Sequence, residues 1–434
     1  MLALIPDAFG SHGGISKFNR DLLAALCSHP DCAEVVALPR LMPEPPGSLP
    51  GKLTWLTDGL GGKLRYLSAA LKIAIRNRSS LDRDLALQPS ETPFPGFDLV
   101  ICGHINLLPA AYLARRLLSV ARGPSSRGRP TPPLALFIHG IDVWEPHRSA
   151  LVRRLARRID ALISVSAFTR NRFIQWSQIP ESKSFILPNC IDLAGFKPGQ
   201  KDSALVEKYR LAGRKVLMTL GRLLPDRPKG IDEVLGLLPE LGSEVPEIAY
   251  LIVGDGSDRA RLRGKARSLG LAVLDCSGDA RPSPGGLLAS GPVVPHATTN
   301  LRPPSSISDL PSSTVVFTGR IPEAQKAAHY RLADAFVMPG YGEGFGIVYL
   351  EALACGIPVL ASTLDASREA LLDGEMGLLV NPRNRAELHQ GILRVVQRPR
   401  GQVPPGLEHF SLPNFVKRCH AILDHLCPAA EAGS

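Results

Sequence analysis

Two hydrophobic patterns alternate along the chain. Short, continuous apolar runs are followed by longer stretches in which apolar residues recur at helical spacing. In the first half the apolar runs are Leu2–Ile5, Glu34–Leu38, Leu99–Cys102, Leu134–Ile138, Ala161–Val165 and Phe185–Leu187, and the helical stretches include Ile15–Ser28, Leu107–Leu118, Ser149–Arg158 and Ala167–Gln178. Apolar strands alternating with helices predict parallel sheets that are covered on both faces.

A second series of the same kind begins near the middle of the chain. Its apolar runs are Val216–Leu220, Ala249–Val253, Val315–Thr318, Ala335–Met338, Val359–Ala361 and Gly377–Val380. Two series predict an α/β protein with two doubly wound, Rossmann-like domains that face each other across a cleft.

The domain boundary is predicted in the turn-rich segment Pro188–Gln200. We expect an N-terminal Rossmann-like domain over residues 1–195 and a C-terminal Rossmann-like domain over residues 196–405. An amphipathic helix within residues 406–434 is expected to pack back toward the first domain. The Pro-, Ser- and Gly-rich stretch 277–313 has no periodicity and is predicted to be a flexible insertion.

Composition excludes several classes of protein. A hydrophobic content of 44% and a charged content of 21% are typical of a globular chain. No apolar run is long enough for a transmembrane helix, and the first residues are interpreted as a strand rather than a signal peptide. The eight cysteines form no disulfide-like framework, so we expect a cytoplasmic protein.

The net charge of +10 is unevenly distributed. Between Ala111 and Phe185 there are 13 Lys and Arg against 4 Asp and Glu. This excess favours an anionic partner, and we expect peripheral association with the inner face of the cytoplasmic membrane through the basic N-terminal domain. An Arg-rich surface without a partner is the alternative. Nucleic acid is not expected, because no aromatic residues are interleaved with the basic ones.

Ligands of open parallel sheets bind beyond the carboxyl ends of the strands. The first strand leads to Gly13 and Gly14, which precede a helix and could let bare backbone approach a phosphate. A tight turn that simply needs glycine is the alternative. His139, followed by Gly140, stands at another strand end, where a functional histidine is favoured over a structural one. His104 occupies a similar position.

Two cations follow the first strand of the second series. Arg222, after Gly221, and Lys229 could clamp both phosphates of a diphosphate, the first by its fork and the second as a point charge. Solvent-facing loop charges are the alternative. The segment "IVGDGSDR" has Arg259 at the third glycine position of a dinucleotide fingerprint, which excludes that cofactor site. Gly254 is expected to shape a turn near the ligand.

The stretch "YGEGFGIVYLEAL" places one glutamate in a glycine loop and another in the helix that follows. Glu343 would accept hydrogen bonds from a sugar ring, and Glu351 could bind a diol such as ribose. Backbone N–H groups at the helix N-terminus could point at a phosphate or a sugar hydroxyl. The residues of this loop and first turn are Gly344, Phe345, Gly346 and Ile347.

The stretch "EGFGIVYLEALACGIPVLAS" resembles the E-x7-E signature of retaining glycosyltransferases of family 4, which adopt the GT-B fold. Other blocks resemble the family in its own order: "GGISKFNRDLL", "HGIDVW", "VSAFTRNRF", "LPNCID", "GRLLPDRPKGID", "IVGDGSDRARL" and "FTGRIPEAQKAAHYRLADAFVMP". The likeness covers nearly the whole chain, and the number of ordered blocks makes it specific.

The resemblance implies transfer of a hexose, such as glucose or mannose, from a nucleotide diphosphate sugar to an acceptor hydroxyl, with retention of configuration. The implied acceptor is a lipid-linked or polysaccharide precursor saccharide. The resemblance also implies that the domain of residues 1–195 binds the acceptor and that the domain of residues 196–405 binds the nucleotide sugar. The implied roles are Gly14 near the donor phosphate, His139 near the transferred sugar, Arg222 and Lys229 on the diphosphate, Arg320 and Ile321 beside the base, Glu343 and the loop through Ile347 on the sugar, and Glu351 on the ribose.

No cofactor and no metal are expected. The sequence Asp82–Asp84 mimics the D-x-D of metal-dependent transferases, but it lies in a stretch without strands and is interpreted as a chance match. Two alternatives remain at this point. One is a sugar-nucleotide epimerase or hydrolase of the same two-domain architecture, and the other is a non-catalytic subunit that binds a nucleotide sugar.

Overall fold

The computed structural model describes residues 1–79, 96–121, 131–226, 229–277 and 313–428. The predicted insertion lies outside these residues, except for its two ends. The Asp82–Asp84 sequence also lies outside them.

Seven parallel strands form the first sheet, in the order β3-β2-β1-β4-β5-β6-β7. They are β1 (Leu2–Ile5), β2 (Val35–Pro39), β3 (Leu53–Trp55), β4 (Val100–Cys102), β5 (Leu134–Ile138), β6 (Ala161–Ser164) and β7 (Ser184–Ile186). The helices around this sheet are α1 (Gly14–Ser28), α2 (Lys63–Ser79), α3 (Leu108–Ala121), α4 (Ala150–Ala156) and α5 (Ala167–Ser177).

The second sheet also has seven parallel strands, in the order β10-β11-β9-β8-β12-β13-β14. They are β8 (Lys215–Leu220), β9 (Ile248–Val253), β10 (Ala272–Asp275), β11 (Ser313–Gly319), β12 (Ala335–Met338), β13 (Val359–Ser362) and β14 (Leu378–Val380). The remaining helices are α6 (Ser203–Lys208), α7 (Ile231–Glu244), α8 (Arg259–Ser268), α9 (Lys326–Tyr330), α10 (Ile347–Ala354), α11 (Ser367–Ala370), α12 (Arg385–Val396) and α13 (Leu412–Leu426).

The central strands are apolar because helices cover both of their faces. In the first sheet α1 and α13 pack on one face, and α2, α3 and α4 pack on the other. Strands β1, β5 and β9 are buried along their full length. The prediction of two doubly wound sheets is therefore confirmed. No helix among the described residues is long and apolar enough to cross a membrane.

The last helix returns from the second domain to the first. His420 of α13 contacts the Ala25 carbonyl oxygen of α1 at 2.9 Å, and Asp424 lies 3.0 Å from His29. Phe415 packs edge-on against Phe18. The end of the chain therefore joins the two domains on the side of the first sheet that carries α1.

Candidate active site

The two domains meet where the carboxyl ends of their strands face each other. Gly344 of the second domain packs on the turn after β5, where a Cβ on Gly344 would lie 2.0 Å from the His139 carbonyl oxygen and 2.6 Å from Gly140 Cα. Ser166 Oγ donates to the Gly344 carbonyl at 2.7 Å. Only glycine fits at this contact. The contact brings residues 343–347, which we call the sugar loop, against the turn that contains His139.

The glycine turn after β1 faces Arg222 across the cleft. Arg222 Nη2 lies 3.4 Å from the His12 carbonyl oxygen, and a Cβ on Gly13, which has φ +120°, would lie 3.2 Å from the same nitrogen. The Cβ position of Gly14 has no heavy atom within 4 Å. A guanidinium of the second domain thus lies over the bare backbone at the start of α1, where free N–H groups favour an anion.

Two polar side chains of α1 fix the shape of this turn. Arg20 donates to the carbonyl oxygens of Ala8 at 3.0 Å and Ser11 at 2.8 Å. Asn19, which is fully buried, donates to the Asp7 carbonyl at 2.7 Å. Because these bonds satisfy loop carbonyls from within the domain, the turn is held open toward the cleft.

Lys229 and Glu343 form an ion pair within the second domain. Their side chains are 19% and 21% exposed, so both still reach the cleft. Lys229 passes beside Gly221, whose Cβ position is 3.4 Å from Lys229 Cε. Gly254 packs on Gly221 so closely that a Cβ there would lie 1.9 Å from the Gly221 carbonyl oxygen. The two predicted glycines therefore let the strand ends approach each other beneath the lysine.

A buried carboxyl group supports the Glu343 backbone. Asp365 accepts from the Glu343 N–H at 2.8 Å and from the Ser367 N–H at 3.0 Å. Burial raises the pKa of Asp365 to about 6, although these hydrogen bonds oppose the shift. Asp365 was not identified from the sequence, and it fixes the loop that carries Glu343.

His139 is neutral at pH 7. Burial lowers the pKa of His139 to about 4, and the ring stacks edge-on against Phe18. Nε2 lies 3.0 Å from the Gly103 carbonyl oxygen. Because a carbonyl only accepts, Nε2 carries the hydrogen and Nδ1 remains an acceptor. His104 lies nearby, with Nε2 3.2 Å from Asp142 Oδ2.

The rest of the sugar loop is anchored by its apolar side chains. Phe345 is buried and packs edge-on against Phe410, with ring centroids 5.4 Å apart. Gly346, at φ +90°, is the left-handed N-cap residue immediately before α10, and Ile347, the first residue of that helix, is buried. Ordinary side chains rarely adopt this backbone conformation, which explains the glycine.

Glu351 is fully buried on α10. Tyr330 donates to Oε2 at 2.8 Å, and Lys326 Nζ lies 3.3 Å from Oε1 and 2.7 Å from Glu323. Both carboxylate oxygens therefore have protein donors in this conformation, and the ribose-binding role of Glu351 stays a prediction. The role of Arg320 and Ile321 beside the base also stays a prediction. Arg320 is exposed directly after β11, and Ile321 is half-buried.

Across the described ranges, no group of three or more His, Cys, Asp or Glu side chains could hold a metal ion.

Two sequence profiles match the chain. The profile "Glycosyltransferase Family 4" matches residues 12–194, and "Glycosyl transferases group 1" matches residues 295–398. A GDP-mannose-dependent alpha-(1-6)-phosphatidylinositol monomannoside mannosyltransferase of Mycolicibacterium smegmatis is 31% identical over 306 residues, which are 68% of this chain and 69% of that protein. A phosphatidyl-myo-inositol mannosyltransferase of the same organism is 31% identical over 64% of this chain and 57% of its own length.

Solved structures share the fold at lower identity. Anabaena HepE in complex with UDP-glucose has a TM-score of 0.64 at 17% identity and covers 98% of this chain and 100% of its own. The lipopolysaccharide outer core galactosyltransferase WaaB has a TM-score of 0.61 at 16% identity, covering 98% and 99%. The GT-B fold is thereby confirmed, and the chain belongs to glycosyltransferase family 4.

Proposed function

We propose that this glycosyltransferase moves a hexose from a nucleoside diphosphate sugar to a hydroxyl of a lipid-linked acceptor, with retention of configuration and without a metal ion. One observation carries the proposal: Arg222 and Lys229 of the second domain converge on a cleft whose opposite wall is the open glycine turn at Gly13 and Gly14. Of the two mannosyltransferases described above, one depends on GDP-mannose and acts on phosphatidylinositol monomannoside, and the other acts on phosphatidyl-myo-inositol, which favours the same donor and acceptor class here.

Positive charge supplies the main catalytic effect in this proposal. Arg222 binds a diphosphate by its fork, and Lys229 moves from Glu343 onto a phosphate oxygen as the donor enters. Negative charge grows on the diphosphate as its bond to the sugar breaks, so fixed cations and the α1 N-terminus stabilise the transition state more than the ground state. Two side-chain cations in this position do the work for which other transferases use a divalent ion.

The transfer is proposed as a front-side displacement. The bond between the anomeric carbon and the diphosphate oxygen breaks while the acceptor oxygen forms a new bond to the same face of that carbon. The acceptor proton passes to the departing phosphate oxygen, so the atoms and charges balance without an enzymic nucleophile. Glu343 accepts hydrogen bonds from the sugar hydroxyls, and neutral His139 lies beside the sugar without adding charge.

A basic face on the first domain suits a lipid-linked acceptor. Helices α2, α3 and α4 contain nine Lys and Arg and no Asp or Glu, and they pack side by side on one face of the first sheet. Large apolar side chains protrude from them, with exposed fractions of 84% at Leu64, 54% at Ile75 and 56% at Leu151. This face, which we call the α2–α4 face, is proposed to bind the anionic inner leaflet of the cytoplasmic membrane.

A transfer assay tests the function. The protein is incubated with GDP-mannose or UDP-glucose and vesicles that contain phosphatidylinositol, and the lipids are analysed by mass spectrometry for an added hexose. We expect a hexosylated lipid that is cleaved by an α-specific glycosidase, since retention keeps the donor configuration. Free sugar or an epimer formed at the same rate without vesicles would instead identify a hydrolase or an epimerase.

A further inference from the structure

A carboxylate of the second domain binds the start of a helix of the first. The N–H groups of Ala167 and Phe168, at the start of α5, donate to Glu369 Oε2 and Oε1, each at 2.7 Å. N–H groups in the first turn of a helix have no partner within the helix. Both carboxylate oxygens of Glu369 therefore satisfy donors that the first domain cannot satisfy from its own helix ladder.

The charges at this contact are complementary. The N-terminus of a helix carries a partial positive charge, and charge-assisted hydrogen bonds are stronger than neutral ones. Ser166, which caps α5, makes one hydrogen bond within its own domain and one to the second domain. Its Oγ accepts from Thr169 N–H at 3.2 Å and donates to the Gly344 carbonyl at 2.7 Å. The first turn of α5 thus contacts the second domain at Glu369 and at Gly344 together.

The contacts of α5 with Glu369 and with Gly344 are both connected to the sugar loop, which carries Glu343. The Ala366 N–H, three residues before Glu369, donates to the Glu343 carbonyl at 3.2 Å, and Asp365 accepts from the Glu343 N–H. Ser367 is held in turn by Tyr349 at 2.9 Å. The segment that carries Glu369 and the sugar loop therefore form one hydrogen-bonded unit.

We infer that Glu369 is a positioning residue for sugar transfer. Its hydrogen bonds to α5 hold the two domains together and keep the sugar loop packed against the turn at His139. The inference rests on the proposed function of that loop. Glu369 touches neither substrate nor the reacting atoms, and it acts through the contact between Gly344 and the turn at His139. When the cleft closes, the same contacts therefore place the sugar loop, and with it the donor sugar, beside the turn at His139.

Amide exchange at α5 tests the contact directly. Protection of the Ala167 and Phe168 amides should depend on Glu369 alone, so Glu369→Ala should raise their exchange rates by about tenfold or more in peptides spanning 166–173. Glu369→Gln, which keeps one carbonyl oxygen, should give an intermediate rate. Exposed Glu375, in the same region, provides the control Glu375→Ala, which should leave exchange unchanged. Equal exchange in wild type and Glu369→Ala would overturn the inference.

Kinetics separate positioning from stability. We expect Glu369→Ala to lower kcat about tenfold while the donor KM changes less than about threefold, with the thermal midpoint of each variant measured in parallel. Unchanged kcat alongside faster exchange would show that the contact has no role in transfer, and would overturn the inference. Failure of the proposed function would be distinct, because wild type would then transfer no hexose to a lipid acceptor while the exchange difference persisted.

Discussion

Gly344 and His139 lie in different domains, yet a Cβ on Gly344 would fall 2.0 Å from the His139 carbonyl oxygen. The atom in the way belongs to backbone and cannot move aside as a flexible side chain can. The contact therefore sets how far the cleft can close, and it places the sugar loop at a defined distance from the histidine turn.

Gly344→Ala is expected to lower kcat/KM roughly 10- to 100-fold, because a displacement of the loop by about 1 Å misplaces the donor sugar. Gly264→Ala is the matched control, since its Cβ position on α8 has no heavy atom within 4 Å. The control should be neutral or slightly stabilising. Steady-state kinetics and thermal unfolding of both variants check this. Full activity in Gly344→Ala would show that the close contact is irrelevant to transfer.

Lys229→Met should lower kcat by roughly 10²- to 10³-fold, because the departing diphosphate loses a fixed cation in the transition state. The exposed Lys417 on α13 offers the control Lys417→Met, for which we expect no change. Initial rates at saturating donor measure the effect. A loss that appears only in KM would mean that Lys229 binds the donor without stabilising charge development.

Two buried groups should change the pH dependence of stability in opposite directions. The pKa of His139 is lowered to about 4, so the unfolded chain binds more protons than the folded chain below pH 6.5, and its contribution is lost on acidification. The pKa of Asp365 is raised to about 6, so its contribution is gained as pH falls toward the ordinary carboxyl range.

Thermal midpoints between pH 7 and pH 5 test these signs. His139→Gln should lose less stability on acidification than wild type, and Asp365→Asn should lose more. Parallel curves for wild type and either variant would show that the group in question has no shifted pKa.

Glu351→Ala should lower the free energy of unfolding by about 3–5 kcal/mol, since it leaves the buried Tyr330 hydroxyl without its acceptor and removes the buried partner of Lys326. Glu323 also pairs with Lys326 but is 40% exposed, so Glu323→Ala should cost less than about 1 kcal/mol. Urea unfolding measures both. Similar values for the two variants would refute the importance of burial at Glu351.

The α2–α4 face predicts salt-sensitive membrane binding. The protein should sediment with phosphatidylserine-containing vesicles at low salt and be released at high salt, because screening weakens the attraction of its basic side chains. Leu64→Gln should weaken this binding. Val403→Gln, which alters an exposed apolar residue of the second domain, should not. Absence of sedimentation at low salt would exclude this face as a membrane site.

Periodicity predicted the fully buried central strands well. Strands β1, β5 and β12 have the predicted bounds, because continuous apolar runs between turns mark buried parallel strands. Strands β3 and β10, which are half-buried edge strands, were not predicted, although the edge strands β7 and β14 were. Helix α2 was also not predicted, because three of the five buried positions among its described side chains, Ala69, Ala70 and Ala74, are small alanines and only Tyr66 and Ile73 are large.

Local sequence identified the parts of the site that depend on glycine and charge. Gly13, Arg222, Lys229 and Glu343 stand at strand ends, and the structure brings all four to one cleft. Glu369 could not be found in this way, because its partner in α5 is about two hundred residues away. Nothing near Glu369 in the sequence indicates that its oxygens meet a helix of the other domain.

The central claim, a donor diphosphate held by Arg222 and Lys229, is tested most directly by thermal unfolding with GDP-mannose. We predict that the wild-type midpoint rises by a few degrees as GDP-mannose is added, and that most of this rise is lost in the double variant Arg222→Gln/Lys229→Met. Repeating the thermal unfolding of the wild type with UDP- and ADP-sugars identifies the nucleotide that the site prefers. An equal rise in the double variant, or no rise with any nucleotide sugar, would contradict the account.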